Sequence, residues 1–367
     1  MTTSDTATAN GDFAAAVVGW QRRFGRHHLP WQNTTDPYRI WLSEIMLQQT
    51  QVAAVVPYFE RFLERFPALG DLAQASEDDV LAMWSGLGYY ARGRNLHRAA
   101  KQIAAEYGGT YPERFDDILA LPGVGRSTAG AVAVFAFGQR FAILDGNVKR
   151  VLTRCFGIEG YPGTAEVAAR LWQLAESLLP STDIKAYTQG LMDLGSEVCT
   201  RSRPRCSECP LSSRCLARSL GQIDRLPTPR PRRKRPQRET VMMVLQCDES
   251  ILMEKRAAQG IWGGLWSFPE TGSMGDVPGE CLTRFGLEAQ TVIALSPIEH
   301  GFTHYSLTIT PALCRVGKRV SSVQEAGGSW FALEEAGNHA IPVPVRKLLD
   351  RLRALPTDGT DPVRTAG

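Results

Sequence analysis

Four cysteines in one short segment constrain this chain more than any other feature of its sequence. Cys199, Cys206, Cys209 and Cys215 fall within seventeen residues, with the spacing C-x6-C-x2-C-x5-C. The other cysteines are scattered, as expected of reduced thiols in a folded core. Four closely spaced thiolates suit either tetrahedral zinc or a [4Fe–4S] cluster, and thiolate softness alone does not choose between them. The segment is therefore predicted to be a metal-ligand loop. Its interleaved arginines could face phosphates, although a solvated basic loop explains them equally well.

A change of composition predicts two domains in this 367-residue chain. Helical periodicity continues through residues 12–222, whereas strand-like runs follow residue 239. Between them, residues 225–238 hold seven Arg or Lys, four Pro and no acidic residue, which is typical of an extended linker. We therefore predict a helical domain at 12–222, a basic linker at 223–238 and an α+β domain at 239–355, with disordered ends at 1–11 and 356–367. ETVMMVLQCDESILMEKR alternates like a hairpin with its turn at DES.

Charge and apolar content narrow the cellular setting. The formal net charge of +3 is too small to establish a nucleic-acid partner by itself. The start, MTTSDTATANGD, has neither a basic region nor an apolar stretch, and no apolar run of the chain is long enough to cross a bilayer. The expected location is the cytoplasm, with no membrane partner.

The stretch LPGVGRSTAG is typical of a turn between two helices. Gly123 and Gly125 can take positive φ, and they let backbone N–H groups approach a ligand without a Cβ in the way. The helix predicted to start near Ser127 adds its N-terminal dipole, so the turn suits one DNA phosphate. An ordinary inter-helix turn explains the pentapeptide equally well.

Two carboxylates stand out by their sequence surroundings. Glu44 lies among Ile40, Trp41, Ile45 and other apolar residues of a helix that Asp36 is predicted to cap, and desolvation there would keep it protonated near neutral pH. Asp145 precedes a second helix, where a water-exposed N-cap carboxylate would stay ionised. A structural Glu paired with an arginine and a simple helix cap are the alternatives. One neutral acid beside one anion is the division of labour that breaks glycosidic bonds.

Five segments resemble one enzyme family in their order and spacing. WLSEIMLQQTQV, GLGYYARGRNLH, LPGVGRSTAG, ILDGNVKR and the four-cysteine loop resemble the endonuclease III-like helix-hairpin-helix superfamily of DNA glycosylases, and within it the adenine DNA glycosylases. The resemblance runs from about Phe13 to Leu355. It implies a multidomain fold, in which an all-α helix-hairpin-helix glycosylase domain with a [4Fe–4S] loop is followed by an α+β Nudix-like domain.

The resemblance also implies an activity in base excision repair. Family members remove adenine mispaired with 8-oxoguanine or guanine in double-stranded DNA, after drawing the adenine out of the stack. Glu44 matches the general acid that protonates adenine N7, and Asp145 matches the carboxylate that stabilises the oxocarbenium-like sugar. Asn147 matches a residue that positions this aspartate, and the four cysteines match the cluster ligands. The expected state is a monomer.

Further positions match residues that contact DNA in the family. The hairpin with Gly123, Gly125 and Ser127 matches the phosphate-binding turn, and relatives that also cut the strand carry a lysine at the position of Ser127. Serine there predicts a monofunctional enzyme. Gln49 resembles the wedge that fills the space of the extruded base, and Tyr89 resembles the ring inserted beside 8-oxoguanine, although a packed core tyrosine is the plainer reading.

Two sets of positions match base-recognition residues. Trp31 and Gln189 match residues that line the adenine pocket. Phe302, Thr303 and His304 match the Phe-Ser-His loop that reads 8-oxoguanine, with Thr in place of the commoner Ser. GLWSFPE resembles the start of a Nudix fold, but ECLTRFGLEAQ lacks the carboxylates that bind magnesium, so this domain is expected to recognise rather than hydrolyse.

Two other functions stay open at this point. One is an endonuclease III-like glycosylase and lyase for oxidised pyrimidines, against which Ser127 and the second domain argue. The other is a zinc-stabilised DNA-binding module, which would bind DNA without releasing a base.

Overall fold

The computed structural model describes residues 3–231, 235–257, 259–302, 304–317 and 327–355, with side chains from Asp12 onward. The chain forms two compact units, one of Met1–Gln74 and Asn95–Arg232, the other of Ala75–Arg94 and Arg233–Gly367. The predicted tail and the middle of the predicted linker lie outside the described residues.

The first unit is helical, as predicted. The helices of the first part of the chain are α1 (Thr3–Phe24), α2 (Pro37–Leu47), α3 (Val52–Arg65), α4 (Leu69–Gln74), α5 (Glu77–Trp84), α6 (Ala91–Glu106), α7 (Phe115–Ala120), α8 (Arg126–Phe137), α9 (Gly146–Cys155), α10 (Ala165–Ser177), α11 (Ile184–Asp193) and α12 (Leu216–Ser219). Of these, α5 and the first turn of α6 belong to the second unit. Helix α1 begins inside the stretch for which the sequence predicts disorder. No helix among the described residues combines the length and the apolar character that a bilayer span requires.

Helix α2 starts as its sequence predicts. The Asp36 carboxylate accepts a hydrogen bond from the Tyr38 backbone N–H at 2.9 Å, and Pro37 occupies the first turn. Trp41 and Ile45 are buried on its core face. This anchoring fixes which face of α2 carries Glu44.

The turn between α7 and α8 needs glycine at one of its two positions. Gly123 has a φ of +78°, and a Cβ there would lie 2.7 Å from Asn95 Cβ. Gly125 has a φ of −97° as the N-cap residue of α8, and a Cβ there would meet nothing within 4 Å. The expectation of positive φ is therefore correct for Gly123 and wrong for Gly125, because the chain is already extended where the helix begins.

Close packing of α1 against α11 organises the core of the first unit. Phe13 and Val17 of α1 are fully buried, together with Leu191 of α11 and Val148 of α9. A Cβ on Gly190 would lie 2.8 Å from Val17 Cγ1, so the two helices approach too closely for a larger residue. This packing brings the end of α1 beside the end of α11.

The second unit contains a mixed sheet with helices α13 and α14. Its elements are β1 (Gln237–Cys247), β2 (Ser250–Lys255), β3 (Trp266–Ser267), β4 (Glu270–Thr271), α13 (Val277–Phe285), β5 (Ala289–Ala294), β6 (Ile298–Gly301), β7 (Ser306–Val316), β8 (Gly328–Ala332) and α14 (Val343–Ala354). The main strand order is β3-β2-β1-β7-β5. The combination of helices and a mixed sheet agrees with the predicted α+β class.

Strand β1 is central in the sheet rather than one arm of a simple hairpin. The predicted turn is present, with Cys247 opposite Ser250, but β1 also pairs in parallel with β7 from Gln237 to Gln246. Residues 241–245 are all buried: Val241, Met243 and Leu245 pack with Phe285 of α13, and Met242 and Val244 on the other face are covered as well. The predicted alternation of buried and exposed residues is therefore wrong for this strand.

Residues 75–94 join the second unit through side-chain contacts. The hydroxyls of Tyr90 and Ser85 both donate to the Ile341 carbonyl, at 2.9 and 3.1 Å. Lys255 forms an ion pair with Asp78 at 2.6 Å. These contacts connect the segment that carries Tyr89 to the unit of the C-terminal sheet.

Candidate active site

A cleft of about 1070 Å³ opens in the first unit. Several residues singled out in the sequence line it, namely Trp31, Glu44, Gln49, Ser127, Asp145, Asn147 and Gln189. The two carboxylates for which the sequence predicts opposite charge states therefore share one cavity. Ligand pockets of proteins commonly enclose about 300–1,000 Å³, so this cleft can hold a nucleoside.

Glu44 lies half-buried in the cleft on helix α2. Burial, and secondly the charge of Asp145, raise the pKa of Glu44 to about 8. A carboxyl with this pKa is mostly protonated at neutral pH, which is the form that can donate a proton. The apolar neighbours seen in the sequence therefore have the predicted electrostatic effect.

Asp145 caps α9 and is held from two sides. One carboxylate oxygen accepts from the Val148 backbone N–H at 2.7 Å, and the other accepts from the Asn147 side-chain amide at 3.3 Å. The sequence predicts a water-exposed carboxylate, but the structure half-buries it, and burial raises its pKa. The hydrogen bonds from Val148 and Asn147 and the charge of the Arg150 guanidinium lower this pKa. The same hydrogen bonds hold the carboxylate in one position.

Arg150, which the sequence analysis did not single out, connects this carboxylate to the cysteine segment. Its guanidinium donates to Asn147 Oδ1 at 2.8 Å and to the Cys199 carbonyl at 2.6 Å, and it also donates to the Gly195 carbonyl. Asn147 thus has its amide oxygen occupied by Arg150 and its NH2 group directed at Asp145. The orientation of the Asn147 amide is thereby set.

Gln189 and Trp31 line the cleft as the resemblance implies. The Trp31 ring is mostly buried and packs edge-on against Phe59, with 5.2 Å between ring centroids. The side-chain nitrogen of Gln189 donates to Asp193 Oδ1 at 2.8 Å. The Asp193 carboxylate is fully buried and also forms an ion pair with Arg26 at 2.6 Å. Sequence reasoning missed Asp193 and Arg26. Asp193 could have been found in the same way as Glu44, because it is an acidic residue among the apolar neighbours of LMDLG.

Ser127 at the start of α8 contacts the backbone next to Asp145. Its hydroxyl oxygen accepts from the Leu144 N–H at 3.0 Å. Nearby, the side-chain amide of Gln48 donates to Thr128 Oγ1 at 3.3 Å, which connects the end of α2 to the start of α8. The hairpin and the two carboxylate-bearing segments are thus tied together by side-chain hydrogen bonds.

Gln49 and Tyr89 share an unusual backbone geometry, although they lie in different units. Their φ angles are +58° and +50°, in a region that non-glycine residues seldom occupy. Gln49 is exposed, and Tyr89 is 50% exposed. The alternative of a packed core tyrosine is therefore wrong. Strain of this kind clusters at ligand-contacting sites.

The four clustered cysteines line a second, smaller cavity of the first unit. All four thiols are free of disulfides. Arg154 borders the cavity and donates to Cys199 Sγ at 3.4 Å, and it also donates to the Thr200 carbonyl at 2.7 Å. Among the described residues, no three His, Cys, Asp or Glu side chains are close enough to hold one metal ion.

In the second unit, Phe302 of the predicted recognition loop packs on an aromatic base. The Phe302 N–H donates to the Tyr305 carbonyl at 2.9 Å, and the two rings stack with 4.6 Å between centroids. Phe302 also packs against His300 and Trp262. His304 is exposed, whereas Thr303 lies outside the described residues.

Arginines pair with the acidic residues near the Nudix-like helix α13. Arg284 pairs with Glu254 at 2.6 Å, and Arg256 pairs with Glu270 at 2.6 Å. Each of these two carboxylates therefore has a guanidinium partner.

Two family models match the chain. One, described as the HhH-GPD superfamily of base excision DNA repair proteins, matches residues 42–177. The other, described as a NUDIX domain, matches residues 240–351. The matched segments agree with the observed helical part and the sheet-containing part of the chain.

Individual relatives are similar along nearly the whole chain. The adenine DNA glycosylase of Buchnera aphidicola subsp. Acyrthosiphon pisum is 34% identical over 342 residues, covering 93% of this chain and 97% of that protein. The human adenine DNA glycosylase is 32% identical over 402 residues, covering 92% of this chain and 73% of that protein. Among solved structures, a thermostable thymine-DNA glycosylase superposes with a TM-score of 0.53 at 29% identity, covering 59% of this chain and 99% of that one.

Proposed function

Because this chain belongs to the adenine DNA glycosylase family, we propose that it removes adenine mispaired with 8-oxoguanine or guanine from double-stranded DNA. Cleavage of this N-glycosidic bond begins base excision repair. The main support is the cleft in which Glu44 and Asp145 lie together. The glycosidic bond is unreachable inside a duplex, so the adenine must rotate out of the stack and into this cleft.

Glu44 is the proposed general acid. Adenine leaves poorly as an anion, and protonation of N7 lets it depart as a neutral base. A carboxyl with a pKa of about 8 holds its proton at physiological pH, and its position on the lining of the cleft places that proton beside a bound base. This combination of charge state and location favours proton transfer to the base.

Asp145 is the proposed stabiliser of the sugar. Departure of the base leaves positive charge on the deoxyribose, and a nearby anion lowers the energy of that state. Hydrogen bonds from Val148 and Asn147 fix the carboxylate in place. It therefore needs little reorganisation as the charge develops, and water completes the reaction.

We propose that the enzyme is monofunctional, leaving an abasic site without cutting the strand. Strand cutting in related enzymes uses an amine that forms a Schiff base with the sugar. Ser127 has no amine, and its hydroxyl already accepts from Leu144. Gln49, Tyr89 and the Gly123 turn are the proposed contacts with the DNA that surrounds the extruded base.

Phe302, Thr303 and His304 are proposed to read 8-oxoguanine. Phe302 stacks on Tyr305, and the exposed side chain of His304 is open to contact with a base. The ion pairs of Arg284 and Arg256 support a recognition role rather than metal-dependent hydrolysis for this unit.

A direct assay tests the function. Under single-turnover conditions, the protein should release adenine from duplexes with adenine opposite 8-oxoguanine or guanine, and much more slowly from duplexes with adenine opposite thymine. The product strand should stay intact until alkali is added. Release of thymine from a thymine–guanine duplex, or strand cutting with a borohydride-trapped adduct, would favour a different glycosylase. Binding without release of any base would favour the DNA-binding module.

The four cysteines are proposed to hold a [4Fe–4S] cluster. All four thiols are free of disulfides and line one cavity, and thiolates are the ligands that hold such clusters. Such a group would fix the shape of the loop that carries exposed Arg201, Arg203 and Arg205.

Replacing Cys206 by serine should therefore remove iron from the protein. We expect about four iron atoms per chain in the native protein, with brown colour, and a large loss of both in C206S. The matched control is C247A, which alters a buried cysteine of the second unit and should keep the iron. Stoichiometric zinc in a colourless native protein would contradict the cluster.

A further inference from the structure

We propose that Asp193 is the residue that makes the cleft specific for a 6-amino purine, by fixing which end of the Gln189 amide faces the base. This inference rests on the proposed function, because it concerns the base that the same cleft receives. Asp193 is not itself in contact with the base, so it acts as a positioning residue.

The first step concerns the direction of the Gln189 amide. A glutamine amide can present either its NH2 group or its oxygen, and the two ends are nearly alike in shape. The end near Asp193 must be the NH2 group, because an ion-paired carboxylate only accepts hydrogen bonds. The observed 2.8 Å contact from Gln189 Nε2 to Asp193 Oδ1 has this polarity. The Gln189 oxygen is therefore the end left for the cleft.

The second step concerns how firmly Asp193 is held. Its carboxylate is fully buried and accepts from the backbone N–H of Arg26 at 2.9 Å and from Arg26 Nε at 2.7 Å, besides Gln189. Gly25 permits this approach, because a Cβ there would lie 3.0 Å from Asp193 Oδ2. The orienting anion thus cannot turn away or swing into solvent.

The third step concerns what the free oxygen can recognise. Among the residues that the structure describes, no donor lies within hydrogen-bond distance of Gln189 Oε1. Glu44 is the proposed donor to adenine N7, and the 6-amino group of adenine lies next to N7. Gln189 lines the same cleft as Glu44, so its oxygen is placed to meet this amino group. The amino group of adenine can donate to this oxygen. The 6-oxo group of hypoxanthine is itself an acceptor, so it and Gln189 Oε1 would repel each other.

The test compares adenine with hypoxanthine, each placed opposite 8-oxoguanine in otherwise identical duplexes. The measured quantity is the ratio of the two single-turnover release rates. In Asp193→Asn the neighbour of Gln189 is an amide, which can also donate, so Gln189 can turn its NH2 group toward the base. We expect the adenine-to-hypoxanthine ratio to fall about tenfold or more. Since native protein and variant are compared on the same two duplexes, differences in base pairing cancel.

A matched control separates this effect from loss of charge beside Arg26. Glu197 also pairs with Arg26, at 3.6 Å, but makes no hydrogen bond to Gln189. E197Q should keep the native ratio. A fall in both rates by one common factor in D193N, with the ratio unchanged, would show a purely structural role and overturn the proposal.

A second variant covers the case in which D193N does not fold. Gln189→Met leaves the ion pair of Asp193 and Arg26 intact and removes the amide, so it should also lower the ratio; a native ratio in Q189M would overturn the proposal. Adenine release by the native protein is measured in the same experiment. Its absence would reject the proposed function, whereas its presence with unchanged ratios would reject only the role of Asp193.

Discussion

Replacing Glu44 by glutamine is expected to slow adenine release by about 10²–10⁴-fold, the usual contribution of a positioned general acid. Glutamine keeps the size and hydrogen-bonding capacity of the side chain but has no transferable proton. Single-turnover kinetics on the adenine–8-oxoguanine duplex measure the loss. Equal rates for both proteins would reject the assignment of Glu44 as the acid.

The pH dependence gives the same prediction a second readout. The protonated form of Glu44 is the active one, and its pKa is about 8. The native rate should therefore show no loss from this group well below pH 8 and should fall about tenfold per pH unit above it. The residual rate of E44Q should lack this break.

Stability measurements distinguish lost chemistry from lost structure. Since the pKa of Glu44 lies above its usual value of 4.5, the folded protein keeps a proton that the unfolded chain releases, and this group makes stability decline as pH rises from about 4.5 to 8. E44Q has no such group. E44Q should be at least as stable as the native protein at pH 7. The measurement is the Tm of both proteins between about pH 4.5 and pH 8. A Tm well below the native value would mean that unfolding explains the lost activity.

Replacing Asp145 by asparagine should lower the rate by about 10²–10³-fold, because the anion that faces the developing sugar cation is lost. Asparagine caps helices as well as aspartate does, so the start of α9 should be kept. The same single-turnover assay measures the effect. The variant should also shift the break in the pH profile, because the charge of Asp145 raises the pKa of Glu44. The break should move to lower pH.

Asp36→Asn is the matched control for this substitution. Asp36 caps α2 by accepting from the Tyr38 N–H, so D36N changes a helix cap in the same way without removing a carboxylate from the cleft. It should release adenine at the native rate. A similar loss in D36N, or an unchanged rate in D145N, would contradict the proposed role of Asp145.

The sequence predicted features that depend on neighbouring residues. The apolar surroundings of Glu44 come from its own helix, so its raised pKa could be anticipated, and Asp36 and Asp145 could be recognised as helix caps. The domain classes followed from periodicity. The half-burial of Asp145 could not be anticipated, because it depends on distant residues around the cleft.

Features that depend on distant segments were missed or mistaken. The ion pair of Arg26 and Asp193 joins positions 167 residues apart, and no local pattern marks Arg26 as a partner. The two-sided burial of β1 depends on elements distant in sequence, such as α13, which packs on one face of the strand. In both cases the decisive neighbour is supplied by the tertiary fold.

The left-handed backbone at Gln49 and Tyr89 bears on how this enzyme could be engineered for heat resistance. Glycine would adopt these angles without the steric penalty of about 1–3 kcal/mol that other residues incur. Selection for thermal endurance alone would therefore favour glycine at both places, and it would remove the two side chains proposed to probe the duplex. Variants selected for thermal stability should therefore be tested for their ability to locate a mispair in long duplex DNA.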